Sequence, residues 1–267
     1  MTSETALVFR LKFQVRSYEV EPYGHATELT LQNFLQEAAA THAHQLYFSI
    51  QRLSPMGLTW LLVRSRLLVE RYPAWRETIT VETWPSGWEG AVAFRDFVFW
   101  DEQNRKIARG TSHWLLFDFK KRRPASIGER FPELPQLERM AIERDIPSLD
   151  SPSNPHFTVT LPSSWLQMDM NHHANNATYI QWAMAPVPSE IRRHWVVSRM
   201  DTNYLKEVFA DATVTSRVKI IERNDHALKM LHEIQDDSQA PVMRTYSEWR
   251  RRQKQEQPVK VETLHGS

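Results

Sequence analysis

The sequence predicts an α+β fold in which two antiparallel sheets, each wrapped around a long apolar helix, follow one another along the chain. Three observations carry this prediction. Distant segments repeat at a constant spacing, each copy opens with an apolar helix, and four strand-like runs joined by short turns follow it.

The repeat is read from Trp60-Leu61-Leu62-Val63-Arg64 against Trp195-Val196-Val197-Ser198-Arg199, an offset of 135 (195 − 60). Held without a gap, it also places Thr78-Ile79-Thr80 on Thr213-Val214-Thr215, Asp101 on Asp236, Ile107 on Val242, Arg109 on Arg244, Ser112 on Ser247 and Trp114 on Trp249. In the first copy the helix runs from Leu31 to Tyr47, apolar nearly all round and so buried. Strands follow at Trp60–Glu70, Thr78–Trp84, Ala91–Trp100 and Ile107–Phe117, rich in Val, Leu, Thr, Phe and Trp and punctuated by Tyr72-Pro73, Pro85-Ser86-Gly87 and Asp101-Glu102-Gln103-Asn104. The second copy repeats the order with a helix at Ala177 to Met184 and strands at Val196–Tyr204, Thr213–Ile221, Ala227–Gln235 and Val242–Arg250. Residues 1–123 and 156–267 are the two domains. The Pro- and charge-rich residues 124–155 read as a linker, and Arg250 to Ser267 as a polar tail.

At 267 residues with 41% hydrophobic content the chain can fill two cores. A net charge of +1 gives no global pull toward nucleic acid or membrane, and neither is expected as a partner. With no cysteine, disulfides, thiolate metal sites and a cysteine nucleophile are excluded. Only 7 glycines against 10 tryptophans argue against phosphate-binding loops and for large apolar layers or a cavity. The first ten residues lack a signal pattern and no window has transmembrane length, so the expectation is a cytoplasmic protein.

Chemistry concentrates in Asp169-Met170-Asn171-His172-His173-Ala174-Asn175-Asn176, where carboxylate, carboxamide and imidazole precede a helix. Such a cluster is costly to bury for structure alone. A cap-and-turn role covers part of it; groups that move protons and donate hydrogen bonds to a developing charge cover the rest. Setting Phe34-Leu35-Gln36 against Tyr179-Ile180-Gln181, an offset of 145, puts Gly24, Ala26 and Glu28 opposite Asp169, Asn171 and His173, so only the second copy carries the cluster. In the strands Leu68 faces Asn203 and Tyr72 faces Glu207, making Glu207 the candidate partner. Asp201 reads as a solvated carboxylate. His25, His42, His44 and His113 read as surface or packing residues. A metal held by the adjacent histidines is disfavoured, because neighbours on extended chain point to opposite faces; no metal or cofactor is expected.

At these residues the chain resembles the plant-type acyl-acyl carrier protein thioesterases. Asp169 to Trp182 is similar to the D-x-N-x-H-x-N-N-x-x-Y-I-x-W signature of that family, and Tyr204-Leu205-Lys206-Glu207 to its downstream Y-x-x-E segment. Arg16-Ser17-Tyr18-Glu19-Val20, Leu35-Gln36-Glu37-Ala38 and Arg71-Tyr72-Pro73-Ala74-Trp75 extend the likeness over roughly residues 9 to 250. The resemblance implies a tandem hot-dog fold and hydrolysis of fatty acyl thioesters carried on acyl carrier protein. It implies Asp169, Asn171, His173 and Glu207 as the catalytic set, and an N-terminal copy that shapes the acyl pocket. Two departures stand out: Val208 occupies the position of a cysteine common in the family, and Ala183-Met184-Ala185-Pro186-Val187-Pro188 lacks the usual acidic residue after the signature helix. Lys120 to Arg123, or Arg250 to Arg252, are candidate docking patches for an acidic carrier. A homodimer is compatible with this reading. A coenzyme A ester hydrolase and a non-catalytic acyl-binding protein are the competing readings.

Overall fold

The computed structural model describes residues 7–253 and residue 256. Of the polar tail, Arg250 to Gln253 and Glu256 are therefore described, and the rest lies outside the described residues. Short alternating strands open each half: β1 (Phe9–Gln14) in the first and β7 (Phe157–Pro162) in the second. Both show strict half-buried/exposed alternation, the period of a strand with one face on the core. A helix comes next, α1 (Glu28–Gln45) or α4 (Asn176–Met184). Four long strands complete each half: β2 (Leu58–Val69), β3 (Thr78–Glu89), β4 (Val92–Trp100) and β5 (Lys106–Asp118), then β8 (Trp195–Tyr204), β9 (Thr213–Arg223), β10 (Leu228–Gln235) and β11 (Pro241–Arg251). Three short helices, α2 (Ile50–Leu53), α3 (Ile127–Arg130) and α5 (Ser189–His194), and the two-residue β6 (Arg123–Pro124) lie between them.

The strands do not form two sheets. They form one antiparallel sheet of 11 strands in the order β1-β3-β4-β5-β2-β8-β11-β10-β9-β7, with β6 beside β5. The expected separation fails at one seam, where Arg64 to Leu68 of β2 pair with Arg199 to Asn203 of β8. Joining there removes two exposed sheet edges. Pro85-Ser86-Gly87 is also not a turn: β3 runs through it with a register shift against β4, and Gly87 supplies the required φ of 136°. The second helix is nine residues long, half the 18 of α1.

Both helices lie on the same face of the sheet. Leu31, Phe34, Leu35 and Ala38 of α1 pack on Val69, Ile79, Val81, Phe97 and Phe99; Tyr179, Ile180, Trp182 and Ala183 of α4 pack on Val197, Val214, Val218, Met230 and Val242. The repeat at offset 135 reaches single hydrogen bonds. Trp114 Nε1 donates to Ser112 Oγ and Trp249 Nε1 to Ser247 Oγ, each at 2.8 Å. In the second half a buried imidazole joins that pair, with His232 Nε2 at 2.7 Å from Ser247 Oγ and Nδ1 at 3.0 Å from the Ala183 carbonyl. Burial lowers the His232 pKa to about 4, so the ring is neutral in the core.

On the opposite face, residues 131–150 run as a strap. Leu137 packs against Trp84 and Val98, Trp84 Nε1 donates to the Arg139 carbonyl at 2.7 Å, and the Asn203 carboxamide bonds both Pro147 O and Leu149 N. Beneath this strap Arg66 meets its own counterpart in the other half, Asp201 (201 − 66 = 135), across the β2–β8 seam. Two parallel hydrogen bonds of 2.7 Å join them, and Arg199 adds another at 2.8 Å. Asp201 is 1% exposed, so the solvated carboxylate expected from sequence is a buried ion pair. Its partner lies 135 residues away in sequence, which no local reading detects.

Candidate active site

The polar cluster folds as a tight turn ahead of α4. Asp169 N–H donates to the His173 carbonyl at 2.8 Å, His172 N–H to the Asp169 carbonyl at 3.0 Å, and the Asp169 carboxylate accepts Asn171 N–H at 2.7 Å. This is an Asx turn, the local bond that Asp makes two residues on. His172 takes the left-handed φ of 62° that closes it, which sends its ring outward to within 6.1 Å of the Trp165 ring. The adjacent imidazoles are thus divided: His173 lines the main cavity and His172 does not. Asn175 then caps α4, its Oδ1 accepting Ala177 N–H at 2.9 Å. Replacing Asn175 with Ala should lower stability by about 1 kcal/mol, read as a fall in thermal midpoint.

Glu207 arrives from the end of β8. Leu205 and Lys206 N–H both donate to the Val242 carbonyl, at 2.9 and 3.2 Å, and Ala174 N–H donates to the Val208 carbonyl at 2.8 Å. That last bond fastens the turn to the Glu207 segment. His173 Nδ1 lies 3.0 Å from Glu207 Oε1, with the two side chains 27% and 43% exposed. Phe209 sits edge-on to the His173 ring at 5.0 Å, while the Glu207 carboxylate is open to solvent.

Behind this pair opens a cavity of about 810 Å³ that Asp169, Asn171, His173 and Glu207 all line. Its other walls come from both halves: Tyr179, Tyr204 and Leu205 from the second, and Ala39, Ala43, Leu46, Trp60, Leu62 and Trp114 among those from the first. Arg95 also lines the cavity. Arg95 reaches His42 Nδ1 at 2.9 Å and Thr83 Oγ1 at 3.3 Å, and burial lowers its pKa to about 10. Burial, with the Arg95 charge beside it, lowers His42 to about 3, so this imidazole accepts the guanidinium hydrogen bond as a neutral ring. His42 is a packing residue, as read from sequence. His44 lines the same cavity.

The first half contains the same turn, and its geometry corrects the register between the copies. The bridge Val20–Ala26 matches Met168–Ala174, and the cap Thr27 matches Asn175, an offset of 148 (174 − 26) rather than 145. Glu21, Tyr23 and His25 are therefore the counterparts of Asp169, Asn171 and His173. A slip of three residues nearly preserves a helix face, so matching apolar residues within the helices could not detect it; the caps could. The first half thus keeps an acid and an imidazole, with His25 Nδ1 3.8 Å from Glu21, but Tyr72 takes the place of Glu207. Its hydroxyl donates to the Val197 carbonyl at 3.0 Å. The smaller cavity there, about 340 Å³, is entered by Arg252, which pairs with Glu21 at 3.2 Å and lies 4.6 Å from the Tyr23 ring centre. No helix among the described residues is long and apolar enough to cross a membrane.

Comparison with known proteins fits this arrangement. Residues 6–134 match the model of the acyl-ACP thioesterase N-terminal domain, and residues 152–251 that of the acyl-ACP thioesterase C-terminal domain. The chloroplastic dodecanoyl-[acyl-carrier-protein] hydrolase of Umbellularia californica is 29% identical over 91% of this chain and 68% of its own length. The chloroplastic oleoyl-acyl carrier protein thioesterase of Coriandrum sativum is 28% identical over 94% and 79%. Among solved structures, the 12:0-ACP thioesterase of Umbellularia californica superposes with a TM-score of 0.83 at 28% identity, covering 92% of this chain and 98% of that one. A Mycobacterium tuberculosis protein described as having a double hotdog fold covers 92% and 96% with a TM-score of 0.61 at 11% identity, a likeness of fold alone. With both family domains matched in order across the two halves, the chain belongs to the acyl-ACP thioesterase family and is a thioester hydrolase.

Proposed function

We propose that the chain hydrolyses fatty acyl-acyl carrier protein thioesters with the second-half set Asp169, Asn171, His173 and Glu207, and that the first half holds the acyl tail. The observation that carries this reading is the 3.0 Å contact between His173 Nδ1 and Glu207 Oε1 at the mouth of the apolar cavity. In the proposed sequence Glu207 takes a proton from water as its oxygen attacks the thioester carbonyl. Asn171 donates to the oxyanion that forms. The Ala177 and Thr178 N–H groups at the helix start are already bonded to Asn175, so the carboxamide stands in that role without them. The proton taken by Glu207 crosses the 3.0 Å contact to His173 Nδ1, and as the C–S bond breaks the ring gives its Nε2 proton to the departing thiolate, leaving fatty acid, carrier thiol, a carboxylate and a neutral imidazole. Asp169 is a positioning residue, since its carboxylate bonds the Asn171 backbone.

In this reading the units are two hot-dog domains, 1–123 and 156–267, joined by 124–155. Lys120 to Arg123 are exposed at the β5–β6 turn and are the better dock for an acidic carrier. Arg250 and Arg252 are paired with Glu256 and Glu21; Arg250 lies at the end of β11 and Arg252 just past it, at the other end of the strand from Met243, which is in register with Tyr204.

The test is thiol release from a panel of acyl-carrier-protein esters of graded length, with matched coenzyme A esters alongside. Turnover with kcat/KM favouring the carrier-protein esters is expected; equal or better use of coenzyme A esters would reassign the carrier. His173→Ala should reduce kcat by about 10²-fold or more without loss of fold. Full activity that a chelator then abolishes would overturn the imidazole role.

A further inference from the structure

The two halves build the same backbone cradle at the position of Glu207, apart from one hydroxyl. In the second half Leu205 and Lys206 N–H meet Val242 O, and Ala174 N–H meets Val208 O; in the first, Glu70 and Arg71 N–H meet Ile107 O, and Ala26 N–H meets Pro73 O. The difference lies at the residue after the carboxylate. Val208 has an N–H facing inward; its counterpart Pro73 has none. That N–H donates to Tyr179 Oη at 2.8 Å, and the same hydroxyl donates to the Lys206 carbonyl at 3.1 Å. Offset 148 places Leu31, with no polar atom, where Tyr179 stands. So the copy with a carboxylate has the phenol, and the copy without one has proline and leucine.

We infer that Tyr179 is a positioning residue for hydrolysis: its hydroxyl clamps the peptide groups on both sides of Glu207 and so holds the carboxylate against His173. This rests on the reading of Glu207 given above. Tyr179 also lines the main cavity, yet its single proton is spent on Lys206 O and one lone pair on Val208 N–H. It therefore has no proton to offer a thioester oxygen. Its ring is fixed by edge contacts to Trp182 and Tyr204 at 5.4 and 5.8 Å, and burial raises its pKa above the ordinary phenol value, keeping the donor in place at neutral pH. Removing the hydroxyl leaves a buried N–H without an acceptor, a defect relieved by moving the segment that carries Glu207.

The experiment compares Tyr179→Phe, Glu207→Gln, the two together, and Tyr179→Phe combined with Val208→Pro, on one acyl-carrier-protein ester. Tyr179→Phe is expected to lower kcat about 10-fold or more while KM stays within about twofold. In the Glu207→Gln background it should change kcat little, because the clamp acts only through that carboxylate. Adding Val208→Pro, which deletes the N–H as Pro73 does, should return part of the lost kcat. The inference is overturned if Tyr179→Phe keeps normal kcat, if its effect multiplies that of Glu207→Gln in full, or if a folded Val208→Pro double variant recovers nothing. Should that double variant not fold, the cycle with Glu207→Gln decides alone. Normal turnover by Glu207→Gln would remove the Glu207 reading itself, visible apart from any effect at Tyr179.

Discussion

Glu207→Gln is expected to lower kcat by about 10²–10⁴-fold, the range for losing a placed general base, with little change in thermal midpoint. The carboxamide has the same size but cannot take a proton from water. Stability should hold because the side chain is 43% exposed and its one ion-pair contact among the described residues is the His173 imidazole; exposed pairs contribute little. Steady-state thiol release together with a melting curve checks both halves of the prediction. A variant that turns over at near the native rate would take Glu207 out of the chemistry and leave His173 as the base.

Asp201→Asn should do the reverse, costing stability first. The change leaves Arg66, 6% exposed, without its counter-charge beneath the strap, and stripping one partner from a buried pair costs about 3–5 kcal/mol. Chemical denaturation should show the loss as a lower midpoint, and a midpoint within experimental error of the native one would contradict it. The pair also sets an acid limit. Burial pushes the Asp201 carboxyl upward, but hydrogen bonds from Arg66 and Arg199 and their charges outweigh it and hold the pKa below the usual carboxylate value. A depressed native pKa means the contribution is whole above the unfolded value, about 4, and is lost as pH falls through the native one. The Asn variant should therefore lose less stability than the native protein over that acid range.

Much of this was legible from sequence for identifiable reasons. Apolar strands and a repeat that preserves Trp60/Trp195 and Trp114/Trp249 give the long strands to within two residues at each end, except β3, which runs five residues past Trp84 through the expected turn. The Ser112–Trp114 and Ser247–Trp249 bonds show why that spacing survived. Phe9-Arg10-Leu11-Lys12-Phe13-Gln14 also alternates openly, but it and Phe157 to Pro162 are short strands at the sheet edges and fall outside the long apolar runs that the repeat marks. The cluster from Asp169 to Asn176 announced a site because its polar groups outnumber what one helix cap can use. Hidden from sequence were relations made only by the third dimension: the β2–β8 seam, the three-residue slip between helix caps, and the Tyr179 hydroxyl closing on a segment 27 residues later.

The seam has a further consequence for how such a molecule can be assembled. Arg66 and Asp201 occupy equivalent places beside a local twofold axis, so two identical first halves docked the same way would bring guanidinium against guanidinium. Two second halves would bring carboxylate against carboxylate. Neither half can be its own mate at this interface, whereas each neutralises the other. A form in which like pairs with like at this interface would require at least one charge at the axis to be erased.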